Sequence, residues 1–334
     1  MIPSKERFSG CLVGQCLGDS LGFPVEGSPP DICSQYVKEE LGSFQKGGPC
    51  PSRKAYSAGQ YTDDSQLARE LMQSYAEYGQ LKPDDYAARI AAIFSESRIV
   101  GRGLATDASA RRLLQGVPWG EAGAPAPSAG NGSAMRAGPV GLLYGDDLPE
   151  MIRVAHDQGR ITHKDNRCSA GAIAVAGAVA LASRPSDVHV ESFIRQLSEW
   201  VLPMDRAFAK DLLGLVHWVG LPSEEAVQLI SRCGSPDFDD DWKWISPFVV
   251  PSVLWSLYCF LRTPEDYWAT ISTAIEVGGD VDTTAAMAGA ISGAHLGLDR
   301  LPIAAAHQLT DQGTWGFEPL VELAHRCHAL KITC

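Results

Sequence analysis

Two clusters of oxygen ligands stand near opposite ends of the sequence, and each directly precedes a segment with helical periodicity. Each cluster combines two aspartates with a threonine. The six residues are Thr62, Asp63, Asp64, Asp280, Asp282 and Thr283. Because neighbouring carboxylates repel one another, they need cations or full solvation, and two divalent cations would neutralise the four charges. Carboxylate and hydroxyl oxygens without clustered cysteine or histidine favour Mg²⁺ or Mn²⁺ over zinc.

A purely structural interpretation of both clusters remains open at this point. Asp282 could cap a helix by accepting its first free N–H groups, although this would leave Asp280 unexplained. Asp63 and Asp64 could lie at a solvated helix N-terminus, where the helix dipole favours negative charge.

Three further motifs carry polar groups among glycines. The turn 130–139, Gly-Asn-Gly-Ser-Ala-Met-Arg-Ala-Gly-Pro, could cradle a phosphate with its N–H groups, and its Arg136 could pair with a phosphate or a carboxylate. His163 precedes a helix rich in alanine and glycine, where it is either packed or a ligand contact. Glycines at four-residue steps in the segment 14–22 predict close helix packing, and Glu26 follows at its exit, at the surface or in a site.

The elements that must position these residues are helices, so the sequence predicts an all-α protein. Apolar residues recur at steps of three and four, whereas the alternation typical of strands is scarce. Helices are predicted at 5–18, 63–79, 83–98, 107–115, 148–158, 165–182, 187–200, 205–218, 223–231, 248–261, 264–276, 283–296 and 318–329. Irregular structure is predicted at 27–59, 116–132 and 235–241.

Composition excludes several classes of protein. With 45% hydrophobic residues in 334, the chain can bury a full core, so disorder is excluded for most of it. A net charge of -12 argues against duplex nucleic acid as a partner. Nine cysteines without a C-x-x-C pair argue against a disulfide framework or zinc ribbon and fit a reduced, cytoplasmic compartment.

Targeting and membrane segments are not expected either. The N-terminus has no apolar stretch typical of a signal peptide. The uncharged run 168–183 is too short to cross a membrane, and the run 244–261 is interrupted by Pro247 and Pro251. We therefore expect two buried helices in a protein with no membrane partner, and a monomer.

In their order along the chain, these motifs resemble the ADP-ribosylglycohydrolase family. The resemblance rests on Gly18-Asp19 to Glu26, Tyr61-Thr62-Asp63-Asp64, Gly130 to Arg136, Ile161-Thr162-His163 and Gly279-Asp280-Val281-Asp282-Thr283. It implies one compact domain over residues 1–334, an orthogonal helical bundle with a binuclear Mg²⁺ or Mn²⁺ centre at the bottom of a cleft. Because residues 62–64 and 280–283 would share that centre, the two ends of the chain must meet.

The resemblance also implies a role for each motif residue. Thr62, Asp63 and Asp64 would hold one metal, and Asp280, Asp282 and Thr283 the other, with Asp282 close to both. Glu26 matches a mobile acid at the cleft, and Glu26, Asp64 and Asp282 are the catalytic candidates. The residues implied to contact substrate are Gly103, Asn131, Gly132, Ser133, Met135 and His163. The chain departs from many relatives at Leu104-Ala105, where they carry another glycine.

The implied activity is hydrolysis of the glycosidic bond at C1″ of an ADP-ribosyl group on a protein side chain, with arginine as the expected acceptor. The metals would orient the ribose through its 2″- and 3″-hydroxyls and activate a water. The alternative is an immunity or regulatory protein that blocks an ADP-ribosyltransferase through the segment 27–59, with or without hydrolysis. A third interpretation is a related metallohydrolase acting on another ribosyl or guanidino compound.

Overall fold

Helices form nearly all of the regular structure. The computed structural model describes residues 2–41, 55–234 and 244–333, and within these ranges there are seventeen α-helices and no strand beyond isolated bridges. In chain order they are α1 (Lys5–Gly22), α2 (Pro30–Glu39), α3 (Asp63–Tyr78), α4 (Pro83–Ser95), α5 (Leu104–Leu114), α6 (Trp119–Ala122), α7 (Gly138–Tyr144), α8 (Leu148–Arg160), α9 (Asn166–Ala182), α10 (Val190–Val201), α11 (Arg206–Trp218), α12 (Ser223–Ile230), α13 (Val249–Arg262), α14 (Tyr267–Glu276), α15 (Val281–Leu296), α16 (Ile303–Ala306) and α17 (Phe317–Thr333).

Every helix predicted from the periodicity is present, with ends that differ by at most four residues. Four helices were not predicted: α2, α6, α7 and α16. Each has a proline just before or within its first turn, where a helix tolerates proline well. In the sequence these prolines and the nearby glycines suggest loops instead of helix starts. The prediction of irregular structure across 27–59 is therefore wrong for residues 30–39.

Parts of two predicted irregular segments lie outside the described ranges. They are residues 42–54 of the segment 27–59 and the whole of the segment 235–241. The blocking role suggested for 27–59 stays a prediction. The third segment, 116–132, is irregular apart from α6 and part of a 3₁₀ turn at Asn131–Ser133.

The central pair of helices is α1 and α15, which approach each other through glycines. A Cβ atom on Gly14 would lie 2.5 Å from the carbonyl oxygen of Gly289, and a Cβ on Gly22 would lie 2.5 Å from the Cα of Asp282. No larger residue fits at these positions without moving one backbone. The prediction of close helix packing from four-residue glycine spacing is confirmed, and the contact brings the end of α1 against the start of α15.

The buried apolar residues form one continuous core that includes the two uncharged runs. Residues 168–182 of α9 and 249–261 of α13 are buried along their whole length, as predicted. Across the described ranges, no helix combines the length and apolar character needed to cross a membrane. The cysteines of those ranges are free and buried, which fits the absence of a disulfide framework.

Buried polar contacts join the start of α3 to a segment near the C-terminus. Arg69 donates from Nη1 to Asp311 Oδ2 at 2.6 Å, and both side chains are buried. The Tyr61 hydroxyl donates to the carbonyl of Trp315 at 3.0 Å. Gln66 donates to Asp311 Oδ1 at 2.7 Å and accepts from the Val100 N–H at 2.9 Å. These contacts hold residues 61–64 in place beside the end of the chain.

Candidate metal and substrate site

The first acidic cluster lies where α3 begins and is held by an aspartate of α1. Asp19 accepts hydrogen bonds from the backbone N–H groups of Thr62, at 3.0 Å, and Ser65, at 3.1 Å. The Thr62 hydroxyl lies 2.9 Å from Asp19 Oδ1 and 3.0 Å from Asp64 Oδ2. The side chain of the N-cap residue Thr62 makes no capping hydrogen bond, so the carboxylate of Asp19, from α1, caps α3 in its place. This contact fixes the direction in which α3 begins.

Asp63, next to it, faces a tight backbone turn. Its N–H donates to the carbonyl of Val100 at 2.7 Å. Gly101 adopts a φ of 74°, and a Cβ at this position would lie 2.5 Å from Asp63 Oδ1. Glycine is required here both for the left-handed backbone and for the close approach to the carboxylate.

The second acidic cluster lies at the start of α15. Gly279 has a φ of 90° and leads into Asp280, whose N–H donates to the carbonyl of Ile245 at 2.9 Å. The Asp280 carboxylate accepts from Asn131 Nδ2 at 2.5 Å and from the Thr283 hydroxyl at 3.2 Å. Its orientation is therefore fixed by an amide and a hydroxyl from two different segments.

Asp282 does not occupy the N-cap position that the capping interpretation gave it, although its side chain does accept one N–H of the first turn. The helix begins one residue earlier, at Val281, so Asp282 lies inside the first turn, and Asp280 occupies the cap position without a side-chain capping bond. Asp282 Oδ1 accepts from the N–H of Thr283 at 2.8 Å. Both clusters thus present carboxylates from the first turns of helices whose N-termini face the same point.

The structure brings the two clusters together as two overlapping groups of carboxylates. Oxygens of Asp19, Asp64 and Asp282 lie within 4.8 Å of one another, and so do oxygens of Glu26, Asp280 and Asp282. Asp282 belongs to both groups. Asp19 was not predicted as a site residue, although the sequence gives a signal for it: an aspartate inside an apolar, glycine-rich helix.

Burial makes the charged form of these carboxylates unfavourable. Desolvation, followed by the neighbouring acids, raises the pKa of Asp63 to about 7. Desolvation likewise raises the pKa of Asp19 to about 7 and that of Asp280 to about 6. The pKa values of Asp64 and Asp282 are also raised, first by burial and then by nearby carboxylates. A bound cation would favour the ionised form of these acids and would lower their pKa values again.

A second observation agrees with a cation. Asp64 Oδ1 is buried and has no hydrogen-bond partner in the described part of the chain. A buried carboxylate oxygen without a donor is costly unless a cation binds it. Because all the donors are carboxylate and hydroxyl oxygens, the set fits a hard divalent cation such as Mg²⁺ or Mn²⁺.

Asp63, Asp64, Asp280 and Asp282 line a cleft of about 440 Å³, and Asp19 lies buried behind them. The lining of the cleft includes nearly all residues predicted to contact substrate: Gly103, Asn131, Gly132, Met135 and His163. Ser133 is the exception, because its buried hydroxyl donates to the carbonyl of Cys168 at 2.9 Å, on the side of α9. Half-buried Glu26 also lines the cleft, and Leu104, 90% exposed, stands at its rim.

Arg136 fits neither role considered for it in the sequence. Its guanidinium donates to Gln158 and to the Thr162 hydroxyl, and it pairs with no carboxylate of the described ranges. Because the side chain is completely buried, it is closed off from a phosphate in the cleft. His163 follows Thr162 and is 3% exposed. Burial, with a smaller effect of the Arg136 charge, lowers the pKa of His163 to about 3, so the ring is neutral at physiological pH.

A known protein family matches nearly the whole chain. The model of the family described as ADP-ribosylglycohydrolase matches residues 2–333. The chain belongs to this family. It is therefore an enzyme of the glycosidic-bond hydrolase type, and the resemblance stated from the motifs is confirmed.

Individual relatives agree with this assignment over nearly the full length. The chain is 28% identical to the human protein named ADP-ribosylhydrolase ARH3, over 97% of this chain and 93% of that protein. It is 26% identical to the ADP-ribosyl-[dinitrogen reductase] glycohydrolase of Rhodospirillum rubrum, over 89% and 88%. A solved structure titled ADP-ribosylglycohydrolase-related protein complex superimposes with a TM-score of 0.75 at 25% identity, covering 98% of both chains.

Proposed function

We propose that this protein removes ADP-ribose from modified arginine side chains by Mg²⁺-dependent hydrolysis of the glycosidic bond at C1″. The observation that carries the proposal is the meeting of Glu26 with two pairs of buried aspartates at the bottom of one cleft. Membership of the family supports the reaction type. The arginine acceptor is the one that the resemblance of the motifs to the family implies.

Two cations, Mg²⁺ or Mn²⁺, would be held by the clustered oxygens. In this proposal Thr62, Asp63 and Asp64 would form one set, and Asp280, Asp282 and Thr283 would form the other. Asp282 supports a shared role, because its carboxylate oxygens lie within 4.8 Å of those of Asp64 and of Asp280. When bound, the ions would supply charge to orient the ribose hydroxyls and to lower the pKa of a water. Asn131 and Thr283 contribute by holding the carboxylate of Asp280 in one orientation.

Asp64 and Glu26 are the two candidates for transferring a proton in the reaction, and their surroundings differ. Asp64 is buried, and its unpartnered Oδ1 is suited to a cation. Glu26 is half-buried at the cleft and reaches within 4.8 Å of the Asp280 and Asp282 carboxylates. We assign to Glu26 the acceptance of the proton from the attacking water and its delivery to the departing nitrogen. Water then adds to C1″, and the arginine side chain leaves intact.

The proposal is tested by measuring release of free ADP-ribose from an arginine-ADP-ribosylated protein, with Mg²⁺ and with a chelator. A serine-linked peptide is assayed in parallel. We expect Mg²⁺-dependent release from the arginine substrate, no release by D282N, and full release by D299N, in which an exposed carboxylate is removed. Release from the serine peptide alone would overturn the acceptor, and release in chelator would overturn the metal dependence.

A further inference from the structure

We propose that buried Arg136, acting through the Thr162 hydroxyl, holds the neutral ring of His163 in the tautomer that carries its proton on Nε2. The cleft is thereby given a fixed N–H donor. Arg136 and Thr162 are positioning residues, whereas His163 faces the ligand. The identity of that ligand, ADP-ribose, rests on the proposed function, but the tautomer does not.

Three hydrogen bonds from Nε and Nη2 set the orientation of Arg136, while its buried Nη1 has no hydrogen-bond partner in the described part of the chain. Its Nε donates to Gln158 Oε1 at 2.8 Å, and its Nη2 donates to the Gln158 carbonyl and to Thr162 Oγ1, both at 2.8 Å. The Gln158 amide in turn donates to the carbonyl of Ser133 at 2.9 Å, which fixes its own orientation. Because a guanidinium has donors only, Thr162 Oγ1 must be the acceptor in its contact with Arg136.

The Thr162 hydroxyl can donate one hydrogen bond, and a single acceptor among the described residues lies within its reach. Thr162 Oγ1 lies 2.8 Å from His163 Nδ1, and within the described ranges no other acceptor lies in hydrogen-bond reach of this hydroxyl. The hydroxyl therefore donates to Nδ1, which must present a lone pair. In a neutral imidazole the proton is consequently on Nε2.

The second ring nitrogen faces the cleft between two glycines. A Cβ on either Gly130 or Gly132 would lie 3.3 Å from His163 Nε2, and all three residues line the cleft. Nε2 has no hydrogen-bond partner among the residues that the structure describes. Its N–H is therefore available to an oxygen of a bound ligand, and ADP-ribose carries many such acceptors. A protonated Nε2 on a neutral ring cannot act as a general base.

Nitrogen-15 NMR of the protein without ligand tests the tautomer directly. The His163 signals are assigned by their loss in H163Q, and long-range ¹H–¹⁵N spectra at pH 7 distinguish the two ring nitrogens. We expect the pattern of a protonated Nε2 and an unprotonated Nδ1. A proton on Nδ1, or a doubly protonated ring, would overturn the proposal. This measurement needs neither turnover nor a variant at Thr162.

Two substitutions of Thr162 test the cause. T162V removes the hydroxyl at nearly constant volume, and T162S keeps it. We expect the Nδ1-protonated form to become populated in T162V, with an ADP-ribose Kd about ten-fold weaker, the effect of one lost hydrogen bond. T162S should keep both the tautomer and the affinity. An unchanged tautomer in folded T162V would contradict the role of Thr162.

The two proposals fail in distinguishable ways. If the wild-type protein does not bind ADP-ribose in calorimetry, the proposed function fails while the spectra still decide the tautomer. If T162V does not fold, the wild-type spectrum alone decides. A purely structural role for Arg136 and Thr162 would lower the melting temperature of T162V without moving the ring proton, and this result would refute the inference.

Discussion

Replacing Asp282 with asparagine should raise the free energy of unfolding when no divalent cation is bound. With a bound cation the same substitution should lower it or leave it unchanged. Asp282 is buried and lies in both carboxylate groups, with oxygens within 4.8 Å of Asp19, Asp64, Asp280 and Glu26. Without a cation its charge is unfavourable, because the folded state raises its pKa above the value in the unfolded chain. The asparagine has nearly the same shape and removes that charge.

The magnitude follows from the distance between the carboxylates. Two ionised groups within 4.8 Å of each other repel by at least ~3 kcal/mol at an effective dielectric constant of about 20. Because partial protonation relieves some of this repulsion, we expect D282N to be more stable than the wild type by ~1–3 kcal/mol in chelator. With a cation at a hundred times its Kd, the wild type gains about 2.7 kcal/mol, and D282N, which lacks the shared ligand, gains little.

The assay is thermal unfolding at pH 7.5, in chelator and in excess Mg²⁺. The melting temperature of D282N should lie above that of the wild type in chelator and below or equal to it in Mg²⁺. D299N, which removes an exposed carboxylate, should follow the wild type in both conditions. If D282N is less stable in chelator, or if Mg²⁺ raises both melting temperatures equally, the electrostatic account of the cluster is wrong.

Three further substitutions test the packing, the positioning and the pH dependence. G14A should lower the free energy of unfolding by ~1–3 kcal/mol in denaturant titrations, since its Cβ would lie 2.5 Å from the Gly289 carbonyl oxygen, whereas G120A, with open space, should not. D19N should weaken Mg²⁺ binding about ten-fold in calorimetry without unfolding the protein, because an amide replaces one acceptor oxygen by a donor. In the unfolded chain His163 takes up a proton below about pH 6.5, whereas in the folded protein its pKa is about 3 and the ring stays neutral. The free energy of unfolding therefore decreases as the pH is lowered. Lowering the pH from 7.5 to 5 should therefore cost the wild type about 2 kcal/mol more than H163Q, measured by chemical denaturation.

The sequence predicted most of the fold because the helices are long enough to show their period. It missed α6 and α16, which are single turns of four residues, and α2 and α7, whose prolines and glycines resemble those of loops. Periodicity needs several turns to be detected, and a single turn provides none. Glycine spacing, by contrast, correctly indicated how closely α1 and another helix approach.

The site was predictable where its residues are adjacent in sequence and not where they meet only in space. Asp63-Asp64 and Asp280-Val281-Asp282 form recognisable groups of charge. Asp19 is a single acid on a different helix, and only folding brings it to the N–H groups of Thr62 and Ser65. The contact of Arg136 with Thr162 joins positions 26 apart and has no spacing signal.

The arrangement of the acids explains why the site requires cations and not merely helix dipoles. Asp63 and Asp64 lie in the first turn of α3, and Asp282 lies in the first turn of α15, so two positive helix ends point at the cluster. Each end stabilises a nearby negative charge by ~0.3–1 kcal/mol, up to about 2 when buried. The repulsion of ~3 kcal/mol for each close pair exceeds this contribution. Since the contact between α1 and α15 fixes Asp19 and Asp282 beside each other, the backbone cannot relax to separate the acids. The repulsion is then relieved only by protonation or by bound cations, and of the two only a cation keeps the acids ionised.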